Sequence, residues 1–231
     1  MINIQNLNIK YADGHAAVEN FSLKIETGQT VGLLGANGAG KSSLLLSFVG
    51  AVPIESGHIF VDETEVQKKT LNKIRRQVAM VFQNPDDQLF MTHVYEDVAF
   101  GPRNMGVSEE EVDRRVKSAL TQLNILHLMK RTPSRLSGGE KRAVAIAGII
   151  AMRPKVILFD EPTSFLDPKA KRTLMPVIKS LSGTKIIATH DFELAESICD
   201  RIILIKKGRF MTEGKPNKIL ADTELLEKCG L

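Results

Sequence analysis

The sequence predicts an α/β protein with a parallel-sheet core, an antiparallel β portion at its N-terminal end and a helical lobe inserted into the core. Three observations lead there. Short apolar runs recur at residues 31–34, 78–82, 156–159, 186–188 and 202–205, and several of the intervening stretches read as helices. Runs without alternation fit strands buried on both faces, the condition of a parallel sheet covered by helices. Near the start, Ile2 and Ile4 and then Phe21, Leu23 and Ile25 recur with a period of two, which fits half-buried antiparallel strands. Between residues 83 and 136 the strand-like runs stop and helical signals replace them.

Taken in order, the strand at 31–34 is followed by a glycine-rich turn and by a helix over 41–49. Ser108 with Glu111 three residues later is a capping-box pattern, and Val112, Val116, Ala119, Leu120 and Leu123 then share one helix face. The lobe, about residues 84–152, has no Gly/Ser-rich linker on either side, so the chain is expected to be a single domain over 1–231.

With 43% hydrophobic and 25% charged residues, the composition is that of a folding globular chain, not a disordered one. No apolar run approaches the ~20 residues of a membrane span, and the first residues lack the layout of a signal peptide. A cytosolic protein is expected, with Cys199 and Cys229 as free thiols. The formal charge of +4 is mild. The pairs Lys68-Lys69, Arg75-Arg76 and Lys206-Lys207 have no interleaved aromatics, so they read as solvated surface and nucleic acid is not expected as a partner.

Residues 35–42 read Gly-Ala-Asn-Gly-Ala-Gly-Lys-Ser, matching G-x-x-x-x-G-K-[ST] between a predicted strand and a predicted helix. Composition alone produces such a match in roughly one chain per hundred of this length. Backbone N–H groups converging on phosphate oxygens need glycines that admit close approach. Gly35, Asn37, Gly38, Ala39 and Gly40 would line this cradle, with Ser43 closing it. Lys41 would reach the β- and γ-phosphates of ATP, and the Ser42 hydroxyl would face Mg²⁺. The motif predicts a P-loop nucleoside triphosphatase and leaves kinases, GTPases, helicases and transport ATPases open.

The buried run 156–159 ends in Asp160 and Glu161, where a parallel sheet presents catalytic groups. Asp160 would hold Mg²⁺ and Glu161 would polarise the attacking water. Upstream, Leu136-Ser137-Gly138-Gly139-Glu140-Lys141 leads into an apolar helix and resembles the signature motif of ATP-binding-cassette ATPases, with Glu140 where Gln is usual. In that family the signature of one subunit closes over ATP held by the P-loop of another, so the resemblance implies a dimer, and Ser137, Gly138, Gly139 and Glu140 as nucleotide contacts.

The resemblance also implies that Tyr11 stacks on adenine, that Gln83 touches Mg²⁺ and the attacking water, that Asp167 communicates across the dimer, and that His190 contacts the γ-phosphate. Phe165 departs from the pattern, which usually has Gly there. The other histidines, His15, His58, His93 and His127, have no metal-ligand spacing.

The stretches 83–90 and 96–102, the run 144–148 and the tail 225–231 look like energy-coupling-factor importers, and the compact length is most similar to ATPase subunits of cobalt or nickel importers. The resemblance therefore implies a homodimer docked on integral membrane and substrate-binding subunits at the cytoplasmic face, with the cargo never touching this chain. A biotin-type importer uses similar subunits. A soluble mechanical cassette acting on nucleic acid or ribosomes is the more distant alternative, and the absence of a coiled-coil insertion and of a second cassette speaks against it.

Overall fold

The computed structural model describes residues 1–231. In chain order the elements are β1 (Ile2–Lys10), β2 (Ala16–Ile25), β3 (Thr30–Leu34), α1 (Lys41–Phe48), β4 (Ser56–Val61), β5 (Thr64–Glu65), α2 (Leu71–Arg75) and β6 (Val78–Val81), then α3 (Val94–Asn104), α4 (Glu109–Gln122), α5 (Gly138–Met152), β7 (Val156–Asp160) and α6 (Pro168–Ser180), and finally β8 (Thr184–Thr189), α7 (Phe192–Ile198), β9 (Arg201–Lys206), β10 (Arg209–Gly214), α8 (Pro216–Ala221) and α9 (Thr223–Cys229). Two compact units emerge, one of residues 1–80, 155–161 and 182–231, the other of residues 81–154 and 162–181. No helix is long and apolar enough to cross a membrane.

The first unit carries two sheets. One has the strand order β2-β1-β4-β5; the other runs β10-β9-β3-β8-β7-β6, its last strand ending at Val81, the first residue of the second unit. In the first sheet β1 pairs antiparallel with β2, Ile2 opposite Ile25 and Ile4 opposite Leu23. The register shifts between Ile4 and Leu7, where Asn6 has a φ of 46°. Such a bulge breaks the two-residue period, and that is why alternation was legible only at the strand's start. In the second sheet β3 lies parallel to β8 and β9, and β7 parallel to β8. Every residue of β3, β7 and β8 is buried, as the unalternating apolar runs require. Antiparallel β10 closes the edge beside β9.

The consequence for function lies in the register. Asp160 sits opposite Ala188, and Leu34 opposite Thr189. The C-terminal ends of three adjacent parallel strands therefore coincide, the place where open α/β sheets bind ligands.

The second unit is helical. Ser108 caps α4 through its Oγ, which accepts from the Glu111 N–H at 3.4 Å, and the buried face is Val112, Val116, Ala119 and Leu120. Fully burying such a Val or Leu contributes about 1.5–3 kcal/mol. Helix α5 buries Val144, Ala145, Ile146, Ala147, Ile149 and Ala151, so little of its circumference remains polar. Gly101 lets α3 approach it: a Cβ there would lie 2.5 Å from the Met152 Cγ. Helix α6 starts at Pro168 behind an Asp167 cap.

Candidate active site

In the first unit, residues 35–40 turn from β3 into α1. Gly40 has a φ of 96°, and a Cβ there would lie 2.1 Å from the Ala17 carbonyl oxygen; a Cβ on Gly35 would lie 2.3 Å from that of Ile205. Both positions exclude a side chain, which draws the loop backbone tight against β2 and β9. No side chain caps α1, and its first N–H to reach a backbone carbonyl is that of Leu44, bonded to Gly40 O at 3.0 Å. The donors ahead of it, at a positively polarised helix end, suit oxyanions.

Lys41 is 6% exposed and donates from Nζ to Gly35 O (2.6 Å) and Ala36 O (3.1 Å). Burial lowers its pKa, while the Glu161 and Asp160 carboxylates raise it by favouring the charged form. Ser42 Oγ donates to Asp160 Oδ1 at 3.0 Å. A hydroxyl and a carboxylate side by side are hard oxygen donors that fit Mg²⁺, an ion commonly held by one or two carboxylates plus substrate phosphates. No group of three or more His, Cys, Asp or Glu forms a metal cage. Next to Ser42, the Ser43 Oγ lies 2.9 Å from the Tyr11 hydroxyl, and the Tyr11 ring stacks on His15 with centroids 6.4 Å apart.

Glu161 is 5% exposed with a φ of 46°, a backbone that costs a non-glycine residue about 1–3 kcal/mol. Three contacts hold it there. Its N–H bonds to Ala188 O at 2.9 Å, its Oε2 accepts from Thr189 Oγ1 at 3.2 Å, and its Oε1 lies 2.8 Å from His190 Nδ1. The strand ends thus gather Lys41, Ser42, Asp160, Glu161 and His190 beside the loop. A buried carboxylate fixed in a strained turn by a hydroxyl and an imidazole is suited to positioning and deprotonating a water.

In the second unit, Ser137 caps α5 in a full capping box. Its N–H and Oγ both donate to Glu140 Oε2, at 2.8 and 2.7 Å, and its Oγ accepts from the Glu140 N–H at 3.4 Å. These bonds from Ser137 hold the Glu140 carboxyl below its ordinary pKa. Gly138 and Gly139 thus form the first turn of α5, ahead of its apolar run. Asp167 Oδ1 accepts from the N–H groups of Lys169 (2.8 Å) and Ala170 (2.9 Å). Residues 137–140 and Asp167 line one pocket, and Phe165, 92% exposed with a φ of 63°, stands at its margin. Gln83 lines a neighbouring pocket with Gly138 and Phe165.

Two contributors, Arg142 and Thr189, escape sequence reasoning. Arg142 is 2% exposed and donates to the carbonyls of Phe82 and Gln83, so a helix residue anchors the loop that carries Gln83. Its signal was a lone arginine inside an apolar helix. Gln88 links the same loop, with Oε1 accepting from Phe82 N–H (3.4 Å) and Nε2 donating to Ala145 O (2.9 Å). Thr189, fully buried, had no signal beyond ending a strand.

The comparisons with known proteins point to one family. The family profile described as ABC transporter matches residues 18–164. An ABC transporter ATP-binding protein of Geobacter sulfurreducens is 44% identical over all of this chain and 93% of its own length. The energy-coupling factor transporter ATP-binding protein EcfA of Methanothermobacter thermautotrophicus is 41% identical over all of this chain and 76% of its own. Among solved structures, cbiO1 of Clostridium perfringens, part of the ABC transporter complex cbiONQ, superposes with a TM-score of 0.85 at 39% identity, covering 98% of this chain and 93% of that one. A dimeric ATP-binding cassette bound to ADP and phosphate gives 0.85 at 29% identity over 94% of this chain and 99% of its own. The chain belongs to the ABC transporter family, as an ATP-binding and ATP-hydrolysing subunit.

Proposed function

We propose that this chain energises an energy-coupling-factor importer as one of two ATPase subunits seated at the cytoplasmic face of the membrane. The glycine-bounded loop binds the phosphates of ATP through its N–H groups, and Lys41 exchanges the Gly35 and Ala36 carbonyls for phosphate oxygens. Ser42 and Asp160 hold Mg²⁺, which supplies charge neutralisation at the transferred phosphoryl group. Tyr11 lies against adenine. Glu161 takes the proton of the attacking water, with its carboxylate oriented by Thr189 and His190. Gln83 would touch Mg²⁺ and the attacking water and report nucleotide state to the helical lobe, Asp167 communicates across the dimer, and Ser137, Gly138, Gly139 and Glu140 form the second wall of the partner subunit's ATP site. ATP closes the dimer and loss of phosphate opens it, and that cycle drives the membrane subunits.

The observation that carries the reading is Glu161, buried and strained beside the Ser42–Asp160 pair and oriented from both oxygens. The energy-coupling-factor assignment rests on the relatives that bear that name at 41% identity over this whole chain. For the cargo we favour a cobalt or nickel ion, on the likeness to cbiO1 at 39% identity over 98% of this chain. The test is to co-express the chain with its membrane subunits and measure phosphate release and uptake of labelled cobalt, nickel and biotin. For the isolated chain, a specific rate of phosphate release that stays constant on dilution into the range where it is monomeric would refute the shared site, and failure to co-purify with a membrane protein would refute the importer. Biotin uptake in place of metal uptake would refute the cargo.

A further inference from the structure

The basic pairs at 68–69 and 75–76 look separate in the sequence, and folding joins them. Thr70 N–H bonds to Gln67 O at 2.8 Å, α2 follows, and Gln77 N–H bonds to Ile74 O at 2.8 Å. This turn–helix–turn displays Lys68, Lys69, Lys73, Arg75 and Arg76, all exposed. The five charges fall within nine consecutive residues, of which Leu71–Arg75 rise ~1.5 Å each as helix. Its apolar side fixes it to the first unit: Ile74 is fully buried, Leu71 fits against Gly50, and Arg75 Nε donates to Val49 O at 3.0 Å.

None of the five makes an ion pair, a state they share with exposed cations such as Lys10, Lys24 and Lys207; what sets them apart is that all five fall within nine consecutive residues. The acidic residues just before the segment are mostly engaged elsewhere. Asp62 pairs with the Met1 amino group and Lys155, and Glu65 pairs with His58; Glu63 alone is exposed without such a bond. Like charges held this close repel unless an anionic surface faces them. No aromatic residue stands between Phe60 and Phe82, so the patch has no means of stacking on bases. Long flexible cations spread over a distance comparable with the Debye length suit a dispersed field of phosphates, not one compact ligand.

We infer that this segment is a docking surface for anionic phospholipid headgroups, giving the ATPase subunit a lipid contact of its own in addition to its membrane-protein partners. The inference rests on the proposed function only in placing the chain at a membrane. Each Lys or Arg near an anionic bilayer strengthens binding about fivefold.

The test is sedimentation of the purified full-length chain with vesicles of phosphatidylcholine alone or containing one-third phosphatidylglycerol. Binding is expected only to the anionic vesicles, with release in 0.5 M salt. The triple variant Lys68→Glu/Lys69→Glu/Lys73→Glu should lose binding by on the order of 100-fold while still binding ATP. Equal binding to neutral vesicles overturns the proposal, as does a triple variant that binds like the parent. Duplex DNA that displaces the vesicles and is itself lost with the same three lysines would assign the patch to nucleic acid. No ATP is required, so failure here leaves the hydrolysis and importer readings untouched, and their failure leaves this test readable.

Discussion

Replacing Gly40 by alanine should destabilise the first unit far more than replacing Gly38, although both glycines lie in one loop and both have positive φ, 96° and 77°. For either residue the left-handed backbone costs alanine about 1–2 kcal/mol. At Gly38 nothing lies within 4 Å of the new Cβ, so that conformational cost is the whole effect. At Gly40 the Cβ would meet Ala17 O at 2.1 Å, Ala17 C at 3.3 Å and Gly208 Cα at 3.4 Å. All three are backbone atoms, which cannot rotate aside, so the loop or β2 must shift at a further cost of about 1–3 kcal/mol. Gly40→Ala is therefore expected to lose about 2–5 kcal/mol against about 1–2 for Gly38→Ala. Urea unfolding followed by circular dichroism measures both, the midpoint falling while the slope stays constant. Equal losses in the two variants would show that the contact with Ala17 does not constrain the loop.

Glu161→Gln should retain ATP binding and lower turnover by about 10²–10⁴-fold, since the amide keeps the shape and loses the base; phosphate-release assays at saturating ATP decide it, and near-normal rates would remove Glu161 from its role. Lys41→Ala should weaken nucleotide binding itself, so titration with a fluorescent ATP analogue that gives an unchanged Kd would count against the cradle. Arg142→Met should cost about 3–6 kcal/mol, two charge-assisted bonds at about 1.5–3 each, and raise proteolysis of the loop around Gln83; a stable variant with an intact loop contradicts the anchoring. The hydrogen bonds from Ser137 hold the Glu140 carboxyl below the ordinary glutamate range, so its stabilising contribution is complete above that range and fades as pH falls through the lower, folded-state value. Glu140→Gln should flatten the acid limb of the stability profile, and an unchanged limb would mean that the capping box adds nothing.

How much of this was legible depended on whether the governing contacts were local. The runs at 31–34, 156–159 and 186–188 announced β3, β7 and β8 because burial on both faces leaves no alternation. Ser108 and Glu111 announced the start of α4 because capping operates within one turn. Strand β4 gave no such signal, since Gly57 and His58 interrupt it and its place beside β1 is a long-range pairing. The helix N-terminus at Ser137 and Gly139 was legible from the signature run and the apolar helix behind it, and the structure adds the reciprocal Ser137–Glu140 box.

The sequence by itself determined the residue types and spacing of the phosphate loop, the carboxylate pair at a strand end and the signature run. Those are short-range patterns whose chemistry requires the residues to be neighbours in the chain. Only the tertiary structure decided that Glu161 is buried, strained and held between Thr189 and His190, and that Arg142 supports the Gln83 loop 59 residues away. Each of those depends on which distant segments share a sheet edge or a surface, and parallel register and helix packing fix that without leaving a mark on the local sequence.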